Sequence, residues 1–387
     1  MDYRTIVLIF NTPALETDIA TYSLQEILDL GYELIVLDAS PILLPVANRM
    51  IAAKRIGKEK IHSFICQTYK ELENYIKKYA DTACFIPMFN CYYDVRKVFS
   101  LFTKYNVFYG HVTTARTELE LSDIGYTRPT KKNSRLNPCH VYKALYNRIG
   151  RKVFNKKADF VVLGGRKHSE SLINATLHDK DTKILRLHTW DYERFLNTEK
   201  YDNNGKPYCV YLDQYLPFHP DLVTELGLNI ADGDKQRFVT DMNAVFNRIK
   251  TDYNMDVIIA AHPRADYKDK PTLYPNSKIE YGATSQLVKG ASLVVANFSN
   301  SIMFAVMANI PVILVNSEII EKNDYLRKMQ VGFSDLIGAS IIKSAKQLPN
   351  NMDFSINKEK YDAVRKMFIQ SNDTNGMPMW QIILETI

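Results

Sequence analysis

The chain has 387 residues, 46% of them apolar and 24% charged, with a formal net charge of +6. These values suit an ordinary globular protein of about two domains. Five cysteines without C-x-x-C spacing exclude a disulfide-rich scaffold and read as reduced thiols of a cytosolic protein.

The N-terminal residues enter a strand at once, Thr5 to Phe10, with no basic n-region or cleavage site, so no signal peptide is expected. No apolar run approaches about 20 residues, so the protein is expected to be soluble and cytoplasmic. Strands and helices then alternate. Strands are expected at Ile6–Phe10, Glu33–Leu37, Ile61–Cys66, Ala83–Pro87, Val107–Tyr109 and Phe160–Leu163, and helices at Leu15–Leu30, Lys70–Tyr79 and Tyr93–Tyr105. This alternation predicts a doubly wound parallel sheet. Gly164 and Gly165 follow the last of these strands and precede Arg166. They suit a tight turn, or a seat for an acceptor anion together with Arg166.

Between Asp123 and Asp159 there is no acidic residue, while Arg128, Lys131, Lys132, Arg135, Lys143, Arg148, Arg151, Lys152, Lys156 and Lys157 are basic. Tyr142, Leu145, Tyr146, Ile149 and Val153 are interleaved with them at helical spacing. This basic insertion, 124–158, reads as a solvated helix face, or as a docking surface for anionic membrane lipid or an anionic acceptor. No nucleic-acid-binding motif accompanies it, and no nucleic-acid partner is expected.

A turn-rich stretch, Asp202 to Pro207, marks the expected boundary between an N-terminal domain (1–200) and a C-terminal domain (208–375), with a last helix at 376–387. The second domain opens with a strand, Tyr208 to Leu212, that runs into Asp213 and Gln214, and His219-Pro220 lies in the loop beyond. A helix at Lys235–Thr251 leads to the strand Asp256–Ala261, which stops at His262-Pro263-Arg264. Then come a helix from Ser285, a strand over Ser292–Ala296, Asn297, the turn Ser299-Asn300-Ser301, a helix and the strand Val312–Val315. Short continuous apolar runs suit a parallel sheet covered on both faces. Their polar successors lie at its carboxyl edge, where open α/β sheets bind ligands.

His262 there can donate to a phosphate or accept from a ribose, with Pro263 fixing the turn and Arg264 adding a bidentate donor. The bland alternative is a hydrogen-bonded strand-end histidine. Ser299, Asn300 and Ser301 cap a helix or offer hydroxyls and N–H groups to a phosphate. Asp213 can serve as base or nucleophile, or merely close a turn. The sequence has no G-x-x-x-x-G-K-[ST], no G-x-G-x-x-G, no H-E-x-x-H and no paired Cys/His spacing, which disfavours nucleotide hydrolysis, nicotinamide chemistry and a zinc site.

The two Rossmann-like halves, His262-Pro263, and Ser299-Asn300-Ser301 trailing to Pro311-Val-Ile resemble GT-B glycosyltransferases. Within that fold they look most like enzymes that use CMP-activated acidic sugars: His-Pro-motif sialyltransferases and the retaining β-Kdo transferases of bacterial surface polysaccharides. The resemblance implies an α/β, GT-B architecture of two Rossmann-like domains facing each other across a cleft. It implies a CMP-sugar donor as substrate, with no cofactor and no metal, and a lipopolysaccharide or capsule glycan acceptor, free or lipid-linked. On this reading CMP is held by His262, Pro263, Arg264, Asn297, Ser299, Asn300 and Ser301, Asp213 is catalytic, and Gln214, His219, Gly164, Gly165 and Arg166 have acceptor or secondary roles, with His219 able to contact acceptor or donor. The basic insertion would then offer a peripheral contact with the inner membrane. Two departures sharpen the expectation. Phe304 and Ala305 stand where many enzymes using nucleotide-diphosphate sugars carry a ribose-binding glutamate, which favours CMP. Gln214-Tyr215 replaces the acidic-Gly continuation of the sialyltransferase motif, which favours Kdo or another nonulosonic acid. A polyol-phosphate transferase of the teichoic-acid type, with a CDP-linked donor, and a non-catalytic nucleotide- or glycan-binding module are the other classes that fit.

Overall fold

The computed structural model describes residues 3–44, 54–57, 61–113, 138–165, 173–219, 230–263, 265–267, 270, 272–351, 354–370, 374 and 376–387. Arg166, Arg264 and the 124–137 part of the basic insertion lie outside these residues. Two compact units divide the chain: one runs to Arg194 and is rejoined by Lys366–Ile387, and the other is Phe195–Arg365.

The first unit is built on parallel strands β1 (Thr5–Phe10), β2 (Glu33–Asp38), β3 (His62–Ile65), β4 (Ala83–Pro87), β5 (Gly110–Thr113), β6 (Phe160–Gly164) and β7 (Lys183–Leu187). They form a sheet of order β3-β2-β1-β4 and a second of order β5-β6-β7, joined by a parallel bridge between Phe85 and Tyr109. Side chains alternate across the sheet. Val7, Ile9, Ile35 and Leu37 enter one buried cluster, and Ile6, Leu8, Leu34 and Val36 enter the other. Both faces are covered, which is why these strands read as unbroken apolar runs.

Several expectations move. The helix foreseen at Leu15–Leu30 is two, Glu16–Thr21 and Leu24–Asp29, because Ser23 between them is left-handed (φ 48°). The first piece has no fully buried residue and meets the core only through the partly buried Ile19. The strand expected at Val107–Tyr109 is displaced to Gly110–Thr113, where Gly110 lies under the Phe160 ring; a Cβ there would sit 2.1 Å from the ring. The edge strand β7 has only one buried residue, Leu187, and so gives no continuous apolar signal.

The second unit carries one six-stranded parallel sheet: β8 (Tyr208–Leu212), β9 (Asp256–Ala261), β10 (Lys278–Tyr281), β11 (Leu293–Ala296), β12 (Val312–Val315) and β13 (Ser340–Ile342), in the order β10-β9-β8-β11-β12-β13. The chain winds outward from β8 to β10, then returns to the other side of β8 with β11. The strand order therefore reverses between β8 and β11, the place where such sheets open a crevice at their carboxyl ends. The helix Asp324–Ile337 lacked a forecast, though Leu326, Met329, Gln330, Phe333 and Ile337 are buried at the spacing of one helical face.

The last helix, Met379–Thr386, packs in the first unit. Its Trp380 indole donates to the Tyr22 carbonyl at 2.7 Å, and its leading amides donate to Glu193 and Glu26. Among the described residues no helix is long and apolar enough to cross a membrane.

Candidate functional site

Register assembles the site. Leu212 of β8 is level with Ala260 of β9 and with Ala296 of β11. The residues that follow, Asp213, His262 and Asn297, therefore emerge together at the carboxyl edge, on both sides of the strand-order reversal.

Asp213 is the hub, and it faces inward. It is 6% exposed. One carboxylate oxygen accepts from the Tyr215 amide at 2.8 Å, and the other from the His262 amide at 3.2 Å and the Tyr267 hydroxyl at 2.8 Å. Burial pushes its carboxyl up to about 6, against the pull of those three donors. Burial and the neighbouring Asp213 charge hold the Tyr267 phenol protonated far above its ordinary range. Both Asp213 oxygens are thus committed to internal donors, and the carboxylate fixes where the His262 backbone leaves the strand. Such an arrangement suits a positioning group better than a nucleophile that must approach a sugar carbon.

His262 and His219 come together. Their rings lie 4.7 Å apart, nearly edge to face, and both are half-buried. Pro263 beside them is exposed. Below them Tyr215, Tyr267 and Tyr274 pack edge to face in sequence, with Tyr215 on Phe218. The Lys270 ammonium lies 4.7 Å above the Phe218 ring and donates to the Tyr215 hydroxyl at 2.8 Å. Tyr267, Lys270 and Tyr274 escape a sequence reading because they sit in an aperiodic loop. The one available signal is a density of tyrosines after a His-Pro.

On the other side, Gln214 reaches across: its side-chain oxygen accepts from the Phe298 amide at 3.1 Å. The Asn297 side chain turns into the sheet. Fully buried, it accepts from the Tyr211 hydroxyl at 2.6 Å and donates to the Val315 carbonyl at 2.7 Å. The serine turn bends on itself, with the Ser299 hydroxyl accepting from the Ser301 amide at 3.2 Å. The next three amides, Ile302 to Phe304, close tight turns onto the carbonyls of Ser299, Asn300 and Ser301. Ser299, Asn300 and Ser301 remain half-buried, and the Asn300 side-chain oxygen lacks a protein partner.

The Gly164-Gly165 pair belongs to the first unit. Gly165 has φ +71°, and a Cβ there would come within 2.8 Å of the Met367 and Phe368 backbone. Close passage of that returning chain accounts for the glycine. Along the helix Asp232–Tyr253 lies an open cavity of about 550 Å³, lined by Phe218, Lys235, Asn243, Thr272 and Asn276 among others; Phe218 and the residues on either side of Tyr274 join it to the aromatic cluster. Among the described residues, no three His, Cys, Asp or Glu side chains are grouped to hold a metal ion.

No family model matches the chain, and no curated protein matches its sequence. Solved structures do. Its backbone is similar to that of the wall teichoic acid polymerase TagF: a variant with one histidine replaced by alanine superposes with a TM-score of 0.57 at 15% identity, covering 99% of this chain and 88% of that one. A second TagF variant, with a histidine replaced by asparagine, gives 0.56 at 13% over the same shares. That variant soaked with CDPG gives 0.53 at 14%, over 99% and 87%. The fold is GT-B. At this identity the likeness speaks for the fold, which agrees with the parallel sheet and strand-order reversal described above.

Proposed function

We propose that this chain is a transferase that binds a cytidine-nucleotide-linked donor at the carboxyl edge of its second unit and passes the activated group to a glycan hydroxyl. The best-supported form is polyol-phosphate transfer from a CDP-linked polyol. One observation carries it: a pair of half-buried histidine rings 4.7 Å apart at the carboxyl edge of the sheet, on the β8–β9 side of the strand-order reversal, beside a carboxylate already committed to internal donors. In this reaction an acceptor hydroxyl oxygen attacks the polyol-side phosphorus, and the phosphorus–oxygen bond to CMP breaks with its electron pair leaving on CMP. The hydroxyl proton needs an acceptor, and the phosphate oxygens need donors. One imidazole can serve each need. Ser299 and Ser301 add hydroxyls, and no carboxylate nucleophile is required. The likeness to TagF, one form of which was soaked with CDPG, supports this reading.

Transfer of Kdo or a related nonulosonic acid from a CMP-sugar is the second reading. It is favoured by one feature, the Asp213 carboxyl held up to about 6, where it can take a proton close to neutrality. On either reading the acceptor is a surface glycan, free or lipid-linked.

Incubating the purified protein with CDP-glycerol, CMP-Kdo and CMP-sialic acid separates the readings. We expect CMP release from CDP-glycerol with a new phosphodiester in the phosphorus NMR spectrum. Release from CMP-Kdo or CMP-sialic acid alone would replace the first reading with the second, and CMP binding without turnover would leave a binding module. His262→Ala should weaken CMP binding by about 1.5–3 kcal/mol, the scale of a hydrogen bond to a charged group. Unchanged affinity by calorimetry in the folded variant would remove His262 from the donor site.

A further inference from the structure

Outside the nucleotide edge, the most anomalous surface is the described part of the basic insertion. It is one helical run: Pro138–Leu145, a wider turn at Tyr146–Gly150, and Arg151–Phe154. Its inner side is fixed to the first unit. Tyr146 is buried, the Asn147 side chain accepts from the Tyr93 amide at 2.8 Å, Lys143 pairs with Asp94 at 2.8 Å, and Arg151 donates to the carbonyls of Cys91, Asn174 and Ala175.

The outer side is apolar where solvent should meet polar groups. Val141, Leu145, Ile149 and Val153 follow one another at i, i+4 spacing, each between 52% and 67% exposed, with Tyr142 and Phe154 beside them at 58% and 70%. Six of the thirteen exposed large apolar side chains among the described residues fall in this one run, so this is a patch and not ordinary scatter. Arg148 and Lys152, also exposed, form a basic row alongside.

We propose that this run is an interfacial helix that lies on an anionic lipid bilayer. Apolar side chains along the outer face would enter the headgroup boundary, and the adjoining cations would meet lipid phosphates. Charge chooses this occupant over the others. No acidic residue stands between 124 and 158; among the described cations of the run Lys143 and Arg151 are held to the first unit, and Arg148 and Lys152 stand exposed beside the apolar row. A second copy docking symmetrically would set two such basic faces against each other, which electrostatic complementarity disfavours. A soluble anionic glycan would satisfy the cations but leave six apolar side chains in water. The proposal stands whichever donor the protein uses.

The test is co-sedimentation of the full chain with vesicles of phosphatidylcholine alone and of an equimolar mixture with phosphatidylglycerol. The parent should bind the mixed vesicles at low salt, bind the neutral ones far less, and release as salt rises. Arg148→Glu with Lys152→Glu, and separately Leu145→Ser with Ile149→Ser, should each weaken binding at least about tenfold. Because these side chains project outward, all variants should keep the parent's circular dichroism and unfolding midpoint. Absence of binding to the mixed vesicles by the parent would overturn the proposal, as would equal binding by folded variants. So would self-association that the variants abolish, seen by ultracentrifugation in place of vesicle binding.

Discussion

Asp38 closes β2 in the first unit, and Asp213 follows β8 in the second; both are buried carboxylates at the carboxyl end of a parallel strand. Asp38 accepts from the amides of Ala14 and Ser40, from the Ser40 hydroxyl at 2.6 Å, and from the Arg55 guanidinium at 2.7 Å. Asp213 accepts from three neutral donors, two amides and a phenol. The guanidinium compensates the first charge directly. Only neutral dipoles answer the second, and burial pushes its carboxyl up to about 6 against their pull. A fold that only needed a loop tied down could have used the Asp38 solution. The Asp213 solution leaves a raised carboxyl next to the backbone that carries His262. Perturbed carboxyls gather where they position or exchange something.

The first way to sharpen this contrast is to delete each carboxylate. Asp38→Ala removes the carboxylate that a partly buried guanidinium and three further donors share, so it should cost about 3–5 kcal/mol, the usual scale for breaking a buried charge pair. The chain offers a selective probe: both tryptophans, Trp190 and Trp380, are buried in the first unit, with ring centroids 5.6 Å apart. Their fluorescence in a urea titration should shift strongly for Asp38→Ala. A midpoint equal to the parent's would show that Arg55 finds solvent at no cost.

Asp213→Ala should be milder, about 2–4 kcal/mol, since it orphans neutral donors rather than a cation. Its loss should show in far-ultraviolet circular dichroism more than in tryptophan fluorescence. Equal shifts in both signals would mean that the loss is not confined to the second unit.

The smallest effect is a slope. Asp213 has its folded-state value raised from 3.8 to about 6. Its protonated form is therefore favoured by folding, and the stability this brings is full below pH 3.8 and lost as pH rises through about 6. Across that window the parent should lose stability relative to Asp213→Asn, which cannot titrate. Parallel urea midpoints for the two proteins across that window would mean that the carboxyl titrates near its ordinary value.

Much of the second unit is legible in the sequence because its central strands, Tyr208–Leu212, Asp256–Ala261 and Leu293–Ala296, are continuous apolar runs with abrupt polar stops. A parallel sheet makes those stops coincide in space, so naming Asp213, His262 and Ser299 together required only strand ends and register. What the stops do is less legible. Asn297 looks like any other polar residue at the edge, yet its amide is spent between Tyr211 and Val315. Nothing in one dimension distinguishes a side chain that turns back into the sheet from one that turns outward. Short edge strands such as Ser340–Ile342 carry too few buried residues to be seen, and the break at Ser23 depends on packing that periodicity does not record. Arg166, Arg264 and residues 124–137 lie outside the described residues.

One hydrogen bond ties these parts mechanically. The Gln214 side chain spans the strand-order reversal to hold the Phe298 amide, which makes a single latch out of two loops. A phosphate that pushed the Ser299–Ser301 turn aside would strain that strap. The pull would pass along the chain from Gln214 to Tyr215, whose amide is one of the three gripping Asp213, and from Asp213 to the amide of His262. Gln214, Tyr215, Asp213 and His262 thus form one continuous hydrogen-bonded path between the two banks of the crevice.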